Sequence, residues 1–212
     1  MKDADNEADR FFNRRSFMCA AASAVGTLAS RDARAETPPR AGVVEFVKGD
    51  AFAEVSAARR ALAREAPVFL GDSCGTGADS RLTLDLAGKT RLKLGEKARI
   101  TIDRYLMDAG GEFTLESGAM LFDRPPGSKP APVQIRSPFA LIAVRGTRFF
   151  AGPSNGVFGV FVERGKVAVA GGGQVVILLR GQGTDIRMPG DPPTPPKAWG
   201  HPRVRAALAQ IS

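Results

Sequence analysis

Apolar and polar residues alternate with a period of two along the central part of the chain. The clearest example is RLTLDLAGKTRLKLGEKARITID, residues 81–103, where the alternation pauses at Gly88 and then resumes. Because successive side chains of a strand point to opposite faces, this pattern predicts strands with one buried face and one face in water. The positions predicted to be buried are Leu82, Leu84, Leu86, Leu92, Leu94, Ile100 and Ile102.

The same alternation recurs in three further stretches, residues 112–123, 156–173 and 174–188. With 24 glycines and 15 prolines among 212 residues, many short strands and tight turns are favoured over long helices. We therefore predict an all-β domain over residues 43–188, built of stacked short strands and hairpins as an irregular β-solenoid or a sandwich. The pattern assigns faces and leaves the order of the strands open.

A short motif repeats where new strands are expected to begin. ESGAMLF at residues 116–122 is similar to ERGKVAV at 163–169, and KGDAFA at 48–53 is a weaker third copy. The shared glycines, at positions 49, 118 and 165, are unequally spaced, which argues against a solenoid of fixed period. Each glycine is expected to allow a turn or a close contact between strands.

Two segments outside this pattern are candidate helices. SAARRALAREA, residues 56–66, has high helix propensity but only Leu62 as a large apolar anchor. HPRVRAALAQI, residues 201–211, has an apolar stripe at Val204, Leu208 and Ile211 and predicts a short amphipathic helix.

A proline-rich stretch precedes the second candidate helix, so residues 189–212 are predicted to form a separate tail. Trp199 is expected to dock this tail onto the domain, and a ligand platform is the alternative role for its ring.

The most apolar interior stretch, SPFALIAVRGTRFFAG at residues 137–152, is interrupted by Arg145, Gly146 and Thr147. Within one continuous strand, Arg145 would lie among apolar neighbours, where a guanidinium is tolerated only with a carboxylate or several carbonyls to bond. Arg145 is then a structural clasp or a ligand contact, and the alternative is that the strand turns a corner here. The residues sharing a side on such a strand are Phe139, Leu141, Ala143, Arg145, Thr147 and Phe149.

The first 35 residues have the features of a twin-arginine export signal. Paired arginines precede a weakly apolar run at residues 17–28, and an A-x-A cleavage site follows. We predict a signal peptide over residues 1–35, a linker over 36–42, and a mature chain that is periplasmic or secreted. The alternative is an amphipathic helix that stays attached. The residues that carry the signal are Arg14, Arg15, Ala33 and Ala35.

The apolar run of the signal is too short to cross a hydrocarbon layer of about 30 Å. No later segment reaches the ~20 apolar residues required, so the mature chain is predicted to have no transmembrane span.

The chain is basic and has enough apolar residues for a core. Hydrophobic residues make up 43% of it, and 30 Lys and Arg against 22 Asp and Glu give a net charge of +8. The basic residues are dispersed, and one Trp and one Tyr offer little for base stacking. We therefore predict a solvated basic surface and no nucleic-acid partner.

The sequence offers little for nucleophilic catalysis. GDSCG at residues 71–75 is similar to a serine protease motif, but that chemistry needs a histidine to accept the serine proton. The one histidine, His201, follows the motif and lies in the proline-flanked tail. The chain has no phosphate-binding loop, and no paired carboxylates stand out. No enzymatic activity is predicted.

Metal binding is equally poorly supported. Cys19 lies in the predicted signal, which leaves Cys74 alone and excludes both an internal disulfide and a zinc site of the usual N/S kind. Asp72 and Asp79 bracket a glycine loop, where they would hold calcium or, as we favour, cap turns. No metal and no cofactor is predicted.

Two blocks of the sequence resemble FecR-type domains. VFLGDSCGTGADSRLTLDLAGKTRLKLG at residues 68–95 has the glycine-aspartate, threonine-glycine and alternating-strand pattern of that family. SPFALIAVRGTRFF at 137–150 is similar to its second block, and residues 44–55 and 175–186 fit its first strand and a closing segment. The residues that match the family's motifs are Gly71, Asp72, Thr76, Gly77, Arg145, Gly146 and Thr147.

The resemblance implies an extracytoplasmic, β-rich, non-enzymatic domain of the kind found in proteins that relay an iron-uptake signal across the inner membrane. It implies that the matching residues form turns and clasps of the fold. The chain departs from the family in its export signal, in the absence of a cytoplasmic anti-sigma segment and a span, and in Cys74, where an aliphatic residue is expected.

The expected function is therefore a periplasmic binding or signalling module that acts through a protein partner in the envelope. The alternative is a structural module that binds acidic polymers of the cell wall or surface. A third hypothesis is a hydrolytic enzyme on a β scaffold, which would depend on two neighbouring carboxylates.

Overall fold

The computed structural model describes residues 38–87, 90–106, 110–126, 132–144 and 146–212. These residues form short strands and one helix, α1, at His201–Ala209. In chain order the strands are β1 Arg40–Lys48, β2 Ala51–Val55, β3 Ala58–Ala61, β4 Pro67–Phe69, β5 Ser73–Thr76, β6 Arg81–Leu86, β7 Thr90–Leu94, β8 Arg99–Leu106, β9 Gly110–Ser117, β10 Met120–Asp123, β11 Val133–Arg136, β12 Leu141–Val144, β13 Arg148–Ser154, β14 Val157–Arg164, β15 Lys166–Gly171, β16 Gln174–Leu179, β17 Gln182–Ile186 and β18 Lys197–Ala198.

The strands form two sheets of nine strands each. Sheet A has the order β18-β17-β14-β13-β10-β7-β6-β1-β4, and sheet B has the order β16-β15-β12-β11-β9-β8-β5-β2-β3. Neighbouring strands pair antiparallel except β9 and β11, which are parallel. In both sheets, later strands of the chain are therefore added at the same end. The predicted all-β fold of stacked strands and hairpins is confirmed.

The repeated glycine motif marks corners at which the chain passes from one sheet to the other. Gly49 separates β1 in sheet A from β2 in sheet B, Gly118 separates β9 from β10, and Gly165 separates β14 from β15. Their φ angles are 76°, 77° and 93°, in the left-handed region that glycine enters without steric cost. The turn predicted at each glycine is confirmed.

The inward faces of the two sheets pack into one buried cluster. All seven apolar positions predicted in residues 81–103 belong to it, and each exposes at most 2% of its surface. The period-two pattern therefore identified the buried face of β6, β7 and β8 correctly.

The helix expected at residues 56–66 is wrong. Ser56 and Ala57 have φ angles of 47° and 65° and form a tight turn between β2 and β3. Ala58–Ala61 then pairs antiparallel with β2, with Ala61 opposite Phe52. Pairing with the adjacent strand outweighs the intrinsic helix propensity, which is worth only tenths of a kcal/mol per residue.

A single strand through residues 137–152 is also wrong. β12 ends at Val144 in sheet B, and β13 begins at Arg148 in sheet A. The inward side of β12 is Ile142 and Val144, so Leu141 and Ala143 face solvent instead of the core. The alternative, a corner between strands, describes this segment, and Arg145 lies outside the described residues.

The N-terminal edge of the domain also differs from expectation. β1 begins at Arg40, inside the predicted 36–42 linker, because Gly42 already pairs with Leu86 of β6 and Val68 of β4.

The predicted C-terminal helix is confirmed as α1, which covers part of the outer face of sheet A. Val204, Leu208 and Ile211 pack into a second apolar cluster with Leu121, Phe150, Phe161 and Trp199. The Trp199 and Phe161 rings stack at 5.2 Å between centroids, so Trp199 docks the tail on the sheet as expected. Among the described residues, no helix is both long and apolar enough to cross a membrane.

Candidate protein-binding surface

The first block of family-motif residues lies between β4 and β8. Gly71 has a φ angle of 86°, and its N–H donates to the carbonyl of Ile102 at 2.8 Å. Asp72 is 3% exposed, and its carboxylate accepts hydrogen bonds from the Phe69 N–H at 2.8 Å and from the Arg60 guanidinium. Asp72 therefore ties β3 to the turn that follows β4.

Thr76 and Gly77 hold the following turn. The Thr76 hydroxyl donates a hydrogen bond to the carbonyl of Gly95 at 2.6 Å and accepts one from the N–H of Ala98 at 3.0 Å. The Gly77 N–H donates to the carbonyl of Asp50 at 2.9 Å, and a Cβ on Gly77 would lie 3.2 Å from the Cβ of Asp50. These contacts connect three separate segments through backbone groups.

The second block lies at the corner between β12 and β13. Gly146 has a φ angle of 67°, and Thr147 is fully buried, with its carbonyl accepting the Arg124 N–H at 3.0 Å. Among the described residues, the Thr147 hydroxyl has no hydrogen-bond partner. Arg145 and the export-signal residues Arg14, Arg15, Ala33 and Ala35 lie outside the described residues.

The groups considered for catalysis are engaged in the fold. Burial and, to a smaller extent, the nearby Asp72 carboxylate raise the pKa of the Cys74 thiol to about 12, and the charge of Arg60 opposes both. Ser73 lies on β5, where its hydroxyl donates to Glu116 at 3.5 Å. Across the described ranges, no group of three or more His, Cys, Asp or Glu is arranged to hold a metal ion.

The described surface has one strand with a run of exposed large apolar side chains, β16. Val175 is 65% exposed, Ile177 is 42% exposed and Leu179 is 52% exposed, whereas Leu178 on the other face is buried. Three large aliphatic side chains in a row on one outward face are unusual for a surface without a partner, because single scattered ones are the norm.

The apolar surface continues from β16 across β15 to β12. Opposite residues in the register form two rows, Val175 with Ala170 and Leu141, and Ile177 with Ala168 and Ala143. Leu141 is 37% exposed, and the small alanines keep the surface between the rows flat. We call this surface the β16 face, consisting of Leu141, Ala143, Ala168, Ala170, Val175, Ile177 and Leu179.

β16 is also the free edge of sheet B. The β15–β16 hairpin turns at Gly172 and Gly173, with φ angles of 51° and 75°, and Gly171 pairs with Gln174. In a two-residue hairpin with that pairing, the backbone groups of Val175 and Ile177 point away from β15. The Leu179 N–H is already taken by the Gln182 side chain at 2.9 Å.

The other sheet edges are protected against strand addition. β3 carries Arg59 and Arg60, β4 begins with Pro67, and β18 is two residues long and includes Lys197. Charges, prolines and short length are common means of blocking an edge. β16 has none of them, so among the described edges it alone is long, uncharged and free of proline.

The alternation of apolar and polar residues did not indicate this surface. The five consecutive apolar residues from Val175 to Leu179 indicated a strand, and a run of this kind is typical of a strand buried on both faces. A fully apolar run in the last strand of a sheet would have indicated an exposed apolar edge. Sheet membership, however, is decided by pairings far apart in the sequence.

Comparison with known proteins agrees with this fold. Residues 72–168 match the family described as FecR protein. The matched range includes Asp72, Thr76 and Thr147, whereas β16 and α1 lie beyond it.

Two solved structures of a candidate anti-sigma factor from Parabacteroides distasonis ATCC 8503 are similar in fold. The structure at 1.65 Å resolution gives a TM-score of 0.53 at 18% identity and covers 64% of this chain and 64% of the solved chain. The structure at 2.50 Å gives a TM-score of 0.52 at 18% identity, with 64% and 63% covered. The match thus spans a little under two thirds of the solved chains. No curated protein is significantly similar in sequence.

Proposed function

We propose that this chain is a non-enzymatic signalling module that binds a partner protein in the cell envelope through β16 and the β16 face. The observation that carries the proposal is the free, uncharged edge strand with Val175, Ile177 and Leu179 exposed on one side. The similarity to FecR and to an anti-sigma factor supports a regulatory role.

The partner binds by adding an extended strand to sheet B. Its backbone hydrogen-bonds with the outward-pointing groups of Val175 and Ile177, and its alternate side chains cover the β16 face. Covering the exposed parts of Val175, Ile177 and Leu179 stabilises the complex by about 1 kcal/mol per side chain, since full burial of such a side chain is worth ~1.5–3 kcal/mol. A partner strand with apolar residues at every second position fits this surface.

The location proposed for this interaction is the periplasm, reached by twin-arginine export. Arg14, Arg15 and the Ala33–Ala35 cleavage motif support that route. A membrane-spanning regulator of the envelope is the partner that would carry a signal onward.

Site-specific photo-crosslinking in cells tests the proposal. Benzoyl-phenylalanine at position 175 is expected to give an adduct with an envelope protein, and benzoyl-phenylalanine at the exposed Arg205 of α1 serves as the matched control. Adding Ile177→Lys should abolish the position-175 adduct, because it places a charge in the strand interface while leaving the fold within ~0.5 kcal/mol.

The identity of the adduct decides the outcome. A transmembrane regulator cross-linked through an extended segment supports the proposal. An adduct equally strong from position 205, an adduct that survives Ile177→Lys, a dimer of this chain alone, or capture of glycan alone would each contradict it.

A further inference from the structure

A second feature lies on the opposite sheet, in the part of the outer face of sheet A that α1 leaves uncovered. It is a cleft of about 260 Å³ next to Ile211 at the end of α1. Phe46, Thr83 and Lys93 lie in one row across β1, β6 and β7, because Thr83 pairs with both of the others. The cleft therefore has an apolar wall at each side, Phe46 and Ile211, and a polar floor between them.

Phe46, which forms one apolar wall of the cleft, is unusually exposed. Its ring is 51% exposed although Phe46 lies within β1 and pairs with Thr83 of β6. The equivalent outward positions farther along the row, Leu121 and Phe150, are covered by α1 and buried. The row thus continues past the end of the helix, through Lys93 and Thr83 to Phe46, without a covering segment among the described residues.

More cationic than anionic side chains line the cleft. Arg91 pairs with Glu45 at 2.8 Å, and Arg148 and Arg164 pair with Asp123 at 2.7 and 2.8 Å. Arg148 also contacts Glu163, so each of these carboxylates has its own cation. Two further cationic side chains, Arg81 and Lys93, line the same cleft.

Arg81 and Lys93 have no acidic partner among the described residues. The Arg81 Nη1 donates to the carbonyl of Ser80 at 2.8 Å, and its Nε is buried without a hydrogen-bond partner in the part of the chain that the structure describes. Arg81 precedes Thr83 by two residues on β6, and Lys93 lies opposite Thr83 on β7. Such diagonal positions are about 7–8 Å apart, so both side chains reach a single anion between them.

We propose that this cleft binds an acidic peptide segment, with one carboxylate held by Arg81 and Lys93 and a neighbouring apolar side chain against Phe46 and Ile211. The guanidinium of Arg81 suits a planar carboxylate because it offers donors in a fixed fork. The concave shape of the cleft fits a peptide side chain and disfavours a flat anionic membrane surface. The site is independent of β16, which lies in the other sheet.

Binding of defined tripeptides to the full chain tests the site. The probes are acetyl-Leu-Glu-Leu-amide and its uncharged match acetyl-Leu-Gln-Leu-amide, titrated by calorimetry or by amide chemical shifts at low salt. The Glu peptide is expected to bind at least tenfold more tightly, and its affinity should fall as salt is raised.

Variants locate the binding. Arg81→Gln and Lys93→Gln should each lower the affinity for the Glu peptide by about tenfold. A loss of this size is expected for a charge-assisted hydrogen bond. Lys166→Gln removes the same charge from sheet B and should leave affinity unchanged. Phe46→Ser should weaken both peptides to a similar extent, because it removes an apolar contact that both share. Thermal unfolding of each variant confirms that it is folded.

Three results would overturn the inference. One is equal affinity for the Glu and Gln peptides, and another is a loss in Lys166→Gln as large as in Lys93→Gln. The third is tighter binding to phosphatidylglycerol vesicles than to the Glu peptide, lost in the same two cleft variants, which would assign the cleft to a membrane surface.

Discussion

At the scale of single residues, two aspartates in neighbouring turns show how burial decides the value of an ion pair. The Asp72 side chain is 4% exposed in its pair with Arg60, and it also accepts the Phe69 N–H. The Asp50 side chain is 64% exposed in its pair with Arg59. The first pair replaces lost hydration with specific hydrogen bonds, whereas the second competes with water.

We therefore predict that Asp72→Ala lowers the free energy of unfolding by about 2 kcal/mol, because it leaves the Phe69 N–H and the Arg60 guanidinium without their acceptor. Asp50→Ala should cost at most ~0.5 kcal/mol, as is usual for an exposed pair. Urea unfolding followed by circular dichroism measures both. Equal losses in the two variants would show that Asp72 does not act as a clasp.

At the scale of elements, local pattern and long-range pairing contributed differently to the fold. The faces of β6, β7 and β8 follow from alternation alone, and the corner glycines 49, 118 and 165 follow from a repeated motif. The helix expected at 56–66 failed because the competing interaction is pairing with β2, which its own composition does not reveal. The exposure of β16 likewise depends on the absence of a further strand, a property of the whole sheet.

α1 is attached to sheet A through an ion pair as well as through apolar packing. Arg203 lies over the Trp199 ring, with its guanidinium carbon 3.7 Å from a ring centroid, and its Nη1 donates to Asp185 of β17 at 3.1 Å. Burial tends to raise the pKa of Asp185, but the hydrogen bonds and charges of Arg203, and then of Lys197, outweigh it and lower that pKa below its ordinary 3.8.

The pH dependence of α1 docking follows from this pKa. A carboxyl group with a lowered pKa in the folded state stabilises the fold at pH values above its ordinary 3.8, and that contribution is lost as the pH falls through the lower, folded-state pKa. Trp199 is the one tryptophan of the chain, so its fluorescence reports directly on the docked tail.

We predict a red shift of Trp199 emission as the pH is lowered below about 3.8, before sheet structure is lost by circular dichroism. Asp185→Asn should show a shifted emission already at neutral pH and little further change in acid. Lys197→Gln, whose partner contact is longer at 3.4 Å and 58% exposed, should behave nearly as the unmodified protein. An acid transition unchanged in Asp185→Asn would assign the pH dependence to another group.

At the scale of the whole molecule, the two sheets expose different chemistry. Sheet A is covered by α1 on part of its outer face and has a cationic cleft beside the helix, whereas sheet B ends in the apolar edge β16. The chain crosses between the sheets at many corners, so both sheets are built from strands that alternate along the sequence. The proposed twin-arginine route carries folded proteins, so it would require this fold to form in the cytoplasm.

That route gives the last prediction. Changing Arg14→Lys and Arg15→Lys together keeps the charge of the N-terminal segment and removes the paired guanidinium groups. We expect the doubly substituted chain to remain in the cytoplasm as an unprocessed, folded protein, with at least tenfold less in the periplasmic fraction. The unmodified chain should appear there with Glu36 as its first residue.

Cell fractionation and N-terminal sequencing measure both outcomes, and Lys2→Arg, a charge-preserving change outside the arginine pair, is the matched control. The β16 crosslink offers a second readout, since a chain kept in the cytoplasm cannot reach an envelope partner. Equal periplasmic amounts of the twin-lysine chain would contradict the twin-arginine route. They would leave the surface chemistry of β16 and of the sheet A cleft unchanged, because both are properties of the folded domain.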